Sequence, residues 1–284
     1  MATENYYLTL TCPNKPGIVA AVSTYIFNAG GDIEEAQQFD DKASKRFFMR
    51  VSFSCPTDGT ALKNGFIEIA KQFELTWDLR AVKDLKRVLI MASKLDHCLV
   101  DLLYRWRIGE LPMIICGIVS NHPRNVYASI DFADIPFYHL PVTAETKPAQ
   151  EAKLLEIISE NKVDMVILAR YMQILSDNLS TELSGRCINV HHSFLPSFKG
   201  AKPYHQAHAR GIKLIGATAH FVTSDLDEGP IIEQDVTRVT HGDTTDDLVR
   251  KGRDLERTVL SRALRYYLHD RVLINGATSV VFSD

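Results

Sequence analysis

Four short, nearly unbroken apolar runs constrain the fold of this chain most: Val88 to Met91, Met113 to Val119, Asp164 to Ala169 and Arg186 to Val190. A strand with one wet face alternates apolar and polar residues, and these do not, so both faces of their sheet must be covered. Helical spacing fills the intervals, over 96–106, near 125–132 and over 149–160, with a short strand over 137–140. Strands separated by helices predict an α/β fold built on a doubly wound, mostly parallel sheet. In such sheets chemistry gathers beyond the carboxyl ends of the strands. Ala169-Arg170-Tyr171 and His191 fall at two of those ends.

The first 83 residues follow another rule. Tyr6 to Leu10 alternates like a strand, and residues 17–29 carry helical spacing through Ile18, Val22, Ile26 and Phe27. Residues 32–39 and 46–53 form two strands around a turn at Asp40-Asp41-Lys42; a helix over 61–73 and a strand over 74–82 follow. That order, βαββαβ, is the ferredoxin-like arrangement. Two domains are expected, 1–83 and 84–284, which 284 residues accommodate. There is no internal repeat.

Charge and composition exclude several function classes. A net charge of −3 and 32 scattered basic residues argue against a polyanion-binding surface, so nucleic acid is not an expected partner. Mean hydropathy is −0.08, and no run approaches the ~18 apolar residues of a membrane span. The N-terminal residues lack the basic and apolar segments of an export signal. Five dispersed cysteines, none in a Cys-x-x-Cys pair, suit reduced thiols, and a cytoplasmic location is expected.

The fourth apolar run ends in Asn189-Val190-His191-His192. A strand repeats every two residues, so Asn189 and His191 leave it on one face. That pairs an amide able to hold a developing oxyanion with the side chain that titrates near neutrality. Taken alone, the pair equally suits a polar strand end with a satisfied histidine. Two further motifs follow it: Ser193-Phe194-Leu195-Pro196-Ser197-Phe198-Lys199-Gly200, and Leu226-Asp227-Glu228-Gly229-Pro230-Ile231.

These three motifs, in this order, resemble the folate-dependent formyltransferase family over roughly residues 86–284. The resemblance implies that Asn189 stabilises an oxyanion, His191 moves protons, and Asp227 positions water or steadies the imidazolium. Without the motif, an aspartate before Glu-Gly-Pro reads as a turn residue. It also implies that a pterin docks against Met172, Ile174 and Leu175 and along the loop holding Val222, Thr223 and Asp225. By spacing alone, Met172, Ile174 and Leu175 suit a core stripe equally well.

One departure narrows the substrate. Family members that formylate a ribonucleotide carry a Gly-rich loop after the first strand of this domain, to cradle a phosphate. Here the loop reads Ala92-Ser93-Lys94-Leu95-Asp96-His97-Cys98, without glycine. Close backbone approach to an anion is obstructed, and water becomes the natural acceptor. The N-terminal stretch, with Pro13-Asn14-Lys15-Pro16-Gly17-Ile18 opening its first helix and Asn28-Ala29-Gly30-Gly31-Asp32-Ile33 closing it, resembles the ACT family of small-molecule sensors. The two together resemble the deformylase branch of the formyltransferase family, which hydrolyses 10-formyltetrahydrofolate. This implies a folate substrate, no metal or other cofactor, and a homo-oligomer, dimer or tetramer. It implies glycine or methionine as effectors at Asn14, Pro16, Gly17, Ile18, Asn28, Gly30, Gly31, Asp32 and Ile33. His191, His192, His205, His208 and His220 lie close in sequence, yet no carboxylate or cysteine completes a metal-ligand spacing. Two rival readings stand beside hydrolysis: formyl transfer to an amine that lacks a phosphate, and a catalytically idle amino-acid sensor.

Overall fold

A computed structural model describes residues 3–196 and 203–283. Ser197, Phe198, Lys199 and Gly200 of the second motif lie outside the described residues. The chain forms two compact units: Met1–Leu85 with His269–Asn275 and Val280–Asp284, and Lys86–Leu268 with Gly276–Ser279.

In the first unit, β1 (Glu4–Pro13), α1 (Ile18–Asn28), β2 (Asp32–Asp41), β3 (Arg46–Cys55), α2 (Gly59–Phe73) and β4 (Thr76–Ala81) follow the βαββαβ order. The strands lie as β2-β3-β1-β4, every neighbouring pair antiparallel. Period-2 alternation on β1 buries Tyr6, Leu8, Leu10 and Cys12. Ile18, Val22 and Ile26 of α1 and Leu62, Phe66, Ala70 and Phe73 of α2 enter the same core. Asp58 starts α2 by accepting from the Thr60 and Ala61 N–H groups.

Residues 269–275 and 280–284 were expected in the second domain and belong to the first unit instead. The reason is electrostatic. Arg271 Nη2 meets Glu35 Oε2 at 3.0 Å, and Asn275 Nδ2 donates to Asp41 Oδ2 at 2.8 Å. Both carboxylates belong to β2, far upstream.

The second unit runs β5 (Lys86–Ala92), α3 (His97–Arg107), β6 (Met113–Ser120), β7 (Phe137–His139), α4 (Lys147–Glu160), β8 (Met165–Ala169), α5 (Asp177–Glu182), β9 (Cys187–His191), α6 (Pro203–Ala209), β10 (Leu214–Phe221), β11 (Ile231–Arg238) and α7 (Thr245–Leu268). A two-stranded ribbon, β12 (Val272–Asn275) and β13 (Thr278–Val281), follows. The large sheet has the order β11-β10-β9-β8-β5-β6-β7. It is parallel from β7 to β9 and antiparallel across β9, β10 and β11. Val88 to Met91 are fully buried, each worth about 1.5–3 kcal/mol. From β5 the chain winds outward to β6 and β7, then returns to β8 on the other side. That reversal opens a crevice at the carboxyl ends of β5 and β8.

The helix expected near 125–132 is only a short 3-10 turn, Arg124–Tyr127. Tertiary bonds outweigh the local pattern there. The Tyr127 hydroxyl donates to Ser93 O at 2.6 Å, and Ser120 Oγ lies 2.8 Å from it. Phe132 stacks on Phe137 with ring centroids 5.5 Å apart.

Candidate active site

The carboxyl ends of β5, β8 and β9 and the turn after β10 surround one cavity of about 690 Å³, a size that suits a drug-sized ligand. Asn189, His191 and Asp227 all line it, although Asp227 lies 36 positions beyond His191 in the chain. Strand β10 pairs antiparallel with β9, setting His220 opposite Asn189 and Thr218 opposite His191. Thr218 Oγ1 donates to Ser193 O at 2.9 Å and accepts from Leu195 N at 3.1 Å and Gln234 Nε2 at 2.9 Å. Those bonds fix the chain just beyond His191.

Asp227 adopts the left-handed region, φ 58°, in the turn between β10 and β11. A methyl group at Gly229 would sit 1.8 Å from the Phe221 carbonyl oxygen, so only glycine lets the turn fold back this tightly. The turn brings Asp227 Oδ2 to 3.1 Å from His191 Nδ1. Burial pushes the Asp227 carboxyl up, but the hydrogen bond from His191 outweighs it and holds the group well below the usual carboxylate range. An ionised Asp227 accepts from Nδ1–H, so neutral His191 presents the lone pair of Nε2. That nitrogen is buried and has no partner among the described residues.

His220 is the member of this cluster to which the sequence reading gave no catalytic part. Its Nδ1 lies 2.8 Å from the Phe221 carbonyl, and its Nε2 lies 3.3 Å from Asn189 Nδ2 and 3.5 Å from Asp227 Oδ1. With Nδ1–H on the carbonyl, neutral His220 accepts at Nε2 from the Asn189 amide. One Asn189 N–H is thereby held and the other remains for a ligand. The signal was available: Thr218 and His220 alternate on a strand like Asn189 and His191.

One wall of the cavity is apolar. Met172 and Ile174 are 54% and 64% exposed, which removes the core reading for both. Leu175 and Val222 pack partly against a core cluster and also line the cavity, as does Thr223. Asp225 is exposed and outside the lining among the described residues; its carbonyl accepts from Thr223 Oγ1 at 3.0 Å. His205 lines the cavity and His208 does not.

The opposite wall is ionic, and of its members the sequence reading singled out only Arg170, at the end of β8. Glu256, 1% exposed on α7, meets His97 Nε2 at 2.7 Å, Arg170 Nε at 3.2 Å and the Tyr204 hydroxyl at 2.7 Å. Glu256 was detectable as a charge on the apolar stripe Leu248, Gly252, Val259, Ala263. His97, Cys98 and Glu256 offer donor atoms within 4.8 Å of one another, close enough for a metal. That donor set does not fit one. Burial keeps the Cys98 thiol well above its ordinary value, His97 and Tyr204 already take both Glu256 oxygens, and Arg170 opposes a dication.

The expected effector residues are not brought together within one chain. Asn14, Pro16, Gly17 and Ile18 lie at the start of α1, and Asn28, Gly30, Gly31, Asp32 and Ile33 beyond its end. The 11 residues of α1 separate the groups by about 16 Å. Ile18 is buried in the core, whereas Asn14, Pro16, Gly17, Asn28, Gly30 and Asp32 are exposed.

Comparison with known proteins agrees with this geometry. Residues 86–264 match the formyl transferase family. A formyltetrahydrofolate deformylase of Corynebacterium sp. (strain P-1) is 48% identical, over 97% of this chain and 97% of that protein. The crystal structure of the formyltetrahydrofolate deformylase from Burkholderia mallei superposes with a TM-score of 0.93 at 51% identity, covering 99% of this chain and 100% of that one. Its counterpart from Pseudomonas syringae pv. tomato gives 0.95 at 45% identity, covering 100% and 96%. The agreement spans both units, and the chain belongs to the formyltetrahydrofolate deformylases of the formyl transferase family.

Proposed function

We propose that the chain hydrolyses 10-formyltetrahydrofolate to formate and tetrahydrofolate, with Asn189, His191 and Asp227 as its catalytic residues. One observation carries the assignment of roles. His191 is tied to Asp227 through Nδ1, while its Nε2, unpartnered among the described residues, lies on the wall of a cavity sized for a folate head group.

The formyl group on N10 is an amide. His191 Nε2 takes a proton from water as the oxygen attacks the formyl carbon, and general base help of this kind is worth about 10²–10⁴-fold. The free N–H of Asn189 meets the forming oxyanion, about 3 kcal/mol for one such donor. Asp227 steadies the imidazolium. His191 then returns the proton to N10, the C–N bond breaks, and formate leaves. The acid–base work stays within one imidazole, so the mechanism uses no metal or other cofactor. The pterin lies against Met172, Ile174, Leu175 and Val222, whose exposed surfaces suit a flat ring, with Thr223 at its edge.

The first unit, corresponding to the 1–83 domain of the sequence reading, serves as an amino-acid-responsive module for glycine or methionine within a homo-oligomer. Its ferredoxin-like order supports this. A cytoplasmic setting suits five buried free thiols, and no helix among the described residues is long and apolar enough to cross a membrane. Incubating the purified protein with 10-formyltetrahydrofolate tests the activity. Stoichiometric formate and tetrahydrofolate are expected; absence of formate overturns the reading.

A further inference from the structure

The apolar wall and the catalytic cluster leave the ionic wall without a task. Arg170 stands one residue past the end of β8 in the left-handed region, φ 61°, where a residue other than glycine is strained. Its backbone N–H closes a tight turn onto Leu168 O at 3.0 Å. The side chain is 8% exposed, and among the described residues its Nε has no well-aligned hydrogen bond despite lying 3.2 Å from Glu256 Oε2. A strained backbone and a buried cation are both costly, and nothing in the hydrolysis itself calls for them.

The surroundings of Glu256 are as specific. Two hydrogen-bond donors and one cation converge on its two oxygens: His97 on Oε2 and Tyr204 on Oε1, with Arg170 beside Oε2. The Tyr204 ring fits only because position 252 is glycine; a methyl group there would sit 2.1 Å from Tyr204 Cζ. Burial would raise the Glu256 carboxyl, yet His97 and Arg170 hold it below its ordinary range, so the group is a carboxylate with both oxygens engaged.

We propose that the Arg170 guanidinium, held on Glu256, occupies the place an amine acceptor needs and thereby reserves the formyl group for water. This rests on the hydrolysis proposed above and names the acceptor selectivity of the same site. An amine reaches a protein as an ammonium ion and must be held by a carboxylate and relieved of a proton before attacking. Among the described residues lining the cavity only Asp227 and Glu256 are carboxylates. Asp227 is engaged by His191, and Glu256 by hydrogen bonds from His97 and Tyr204 with the Arg170 cation beside it. The cations Arg170 and Arg253 on the same lining repel an ammonium and leave neutral water unaffected.

The two outcomes differ in one bond. With water, the formyl carbon gains a C–O bond, the C–N10 bond breaks, and a water proton passes through His191 to N10. With an amine, a C–N bond forms, the amine proton takes the same route, and a formamide leaves in place of formate. Deleting the guanidinium opens an ammonium-sized space ending on a buried carboxylate. The specificity would then change without any alteration of Asn189, His191 or Asp227.

The test presents full-length wild type, Arg170→Ala and Arg170→Gln with 10-formyltetrahydrofolate and increasing glycinamide. Formate and N-formylglycinamide are both quantified. Wild type should give formate only, whereas each variant should divert at least about a tenth of its turnovers to the formamide. Millimolar methylguanidinium added to Arg170→Ala should restore formate as the sole product, which a purely structural role would not predict. Arg170→Gln keeps a hydrogen-bond donor toward Glu256 and decides the matter if Arg170→Ala does not fold. Formate alone from the folded variants at every glycinamide concentration overturns the proposal, as does complete loss of turnover in both or formamide production by wild type. Failure of wild type to release formate would instead sink the hydrolytic reading itself.

Discussion

Asn189 and His220 face each other across the β9–β10 pair, with the amide Nδ2 3.3 Å from the imidazole Nε2. His220 is anchored in turn by the Phe221 carbonyl at 2.8 Å from Nδ1. The amide proposed to meet the oxyanion is therefore oriented from behind. Asn189→Ala should lower kcat by about 10²–10³-fold, the scale for one lost oxyanion donor. His220→Ala should lower it less, about tenfold, with KM little changed, because the amide survives but turns. The double variant should be no worse than Asn189→Ala alone. Independent, multiplying losses measured by steady-state kinetics would show that His220 acts elsewhere.

Asp227 fixes which nitrogen of His191 carries the proton. Asp227→Asn should therefore lower kcat by about 10²-fold or more while leaving the fold intact, since an amide NH₂ turned toward Nδ1 favours the wrong tautomer. The wild-type Asp227 carboxyl is held low, so its contribution to stability is present above the ordinary carboxylate range and lost only as pH falls through and below it. A near-wild-type turnover for Asp227→Asn at neutral pH would remove Asp227 from the mechanism.

How much of this was legible depends on distance along the chain. Asn189 and His191 are two residues apart on one strand, so period-2 geometry pairs them without any fold. Asp227 became visible only through its motif, because a β-strand and a left-handed turn intervene. The large parallel sheet could be read from its apolar runs, whereas β10, β11 and α7 carry mixed polar patterns and gave no such signal. Glu256, His97, Arg170 and Tyr204 come from α7, α3, the end of β8 and α6. No local spacing relates them. In the first unit, β2 claims Arg271 and Asn275 by charge and hydrogen bonding, which hydrophobic periodicity does not encode.

His192 supplies a pH test of stability. Burial, with Arg170 and His191 nearby, pushes its imidazole down from 6.5 to about 4. The unfolded chain then binds the extra proton at a higher pH than the folded one. His192 thus contributes stability fully above about 6.5 that is lost as pH falls toward about 4. The stability difference between wild type and His192→Gln, from urea melts, should shrink across that window on acidification. A difference that stays flat with pH would mean His192 is not buried as a neutral ring.

Gly252 provides a packing test. Gly252→Ala places a methyl group against the Tyr204 ring, so the ring must shift off Glu256. The cost expected for such overpacking is about 1–3 kcal/mol. Tyr204→Ala in the same chain should relieve the clash, making the double variant more stable than the sum of the single losses. Additive destabilisation in thermal melts would show that the ring had already found another position.

The last prediction concerns the first unit. Exposed Asn14, Pro16 and Gly17 lie at one end of α1, and Asn28, Gly30 and Asp32 beyond the other. A single glycine or methionine cannot bridge about 16 Å of helix. If both groups contact one effector, the second must come from another copy of the chain, and a two-fold pairing would bring them together twice. Amino-acid binding should then depend on assembly. Calorimetric heats with glycine or methionine should be seen where sedimentation reports an oligomer, and should vanish on dilution to monomers. Effector addition should in turn shift the monomer–oligomer equilibrium toward the oligomer, since linkage is reciprocal. Equal affinity for monomer and oligomer would place the effector within one chain, and no heat with either amino acid would leave the unit without the sensing role assigned to it.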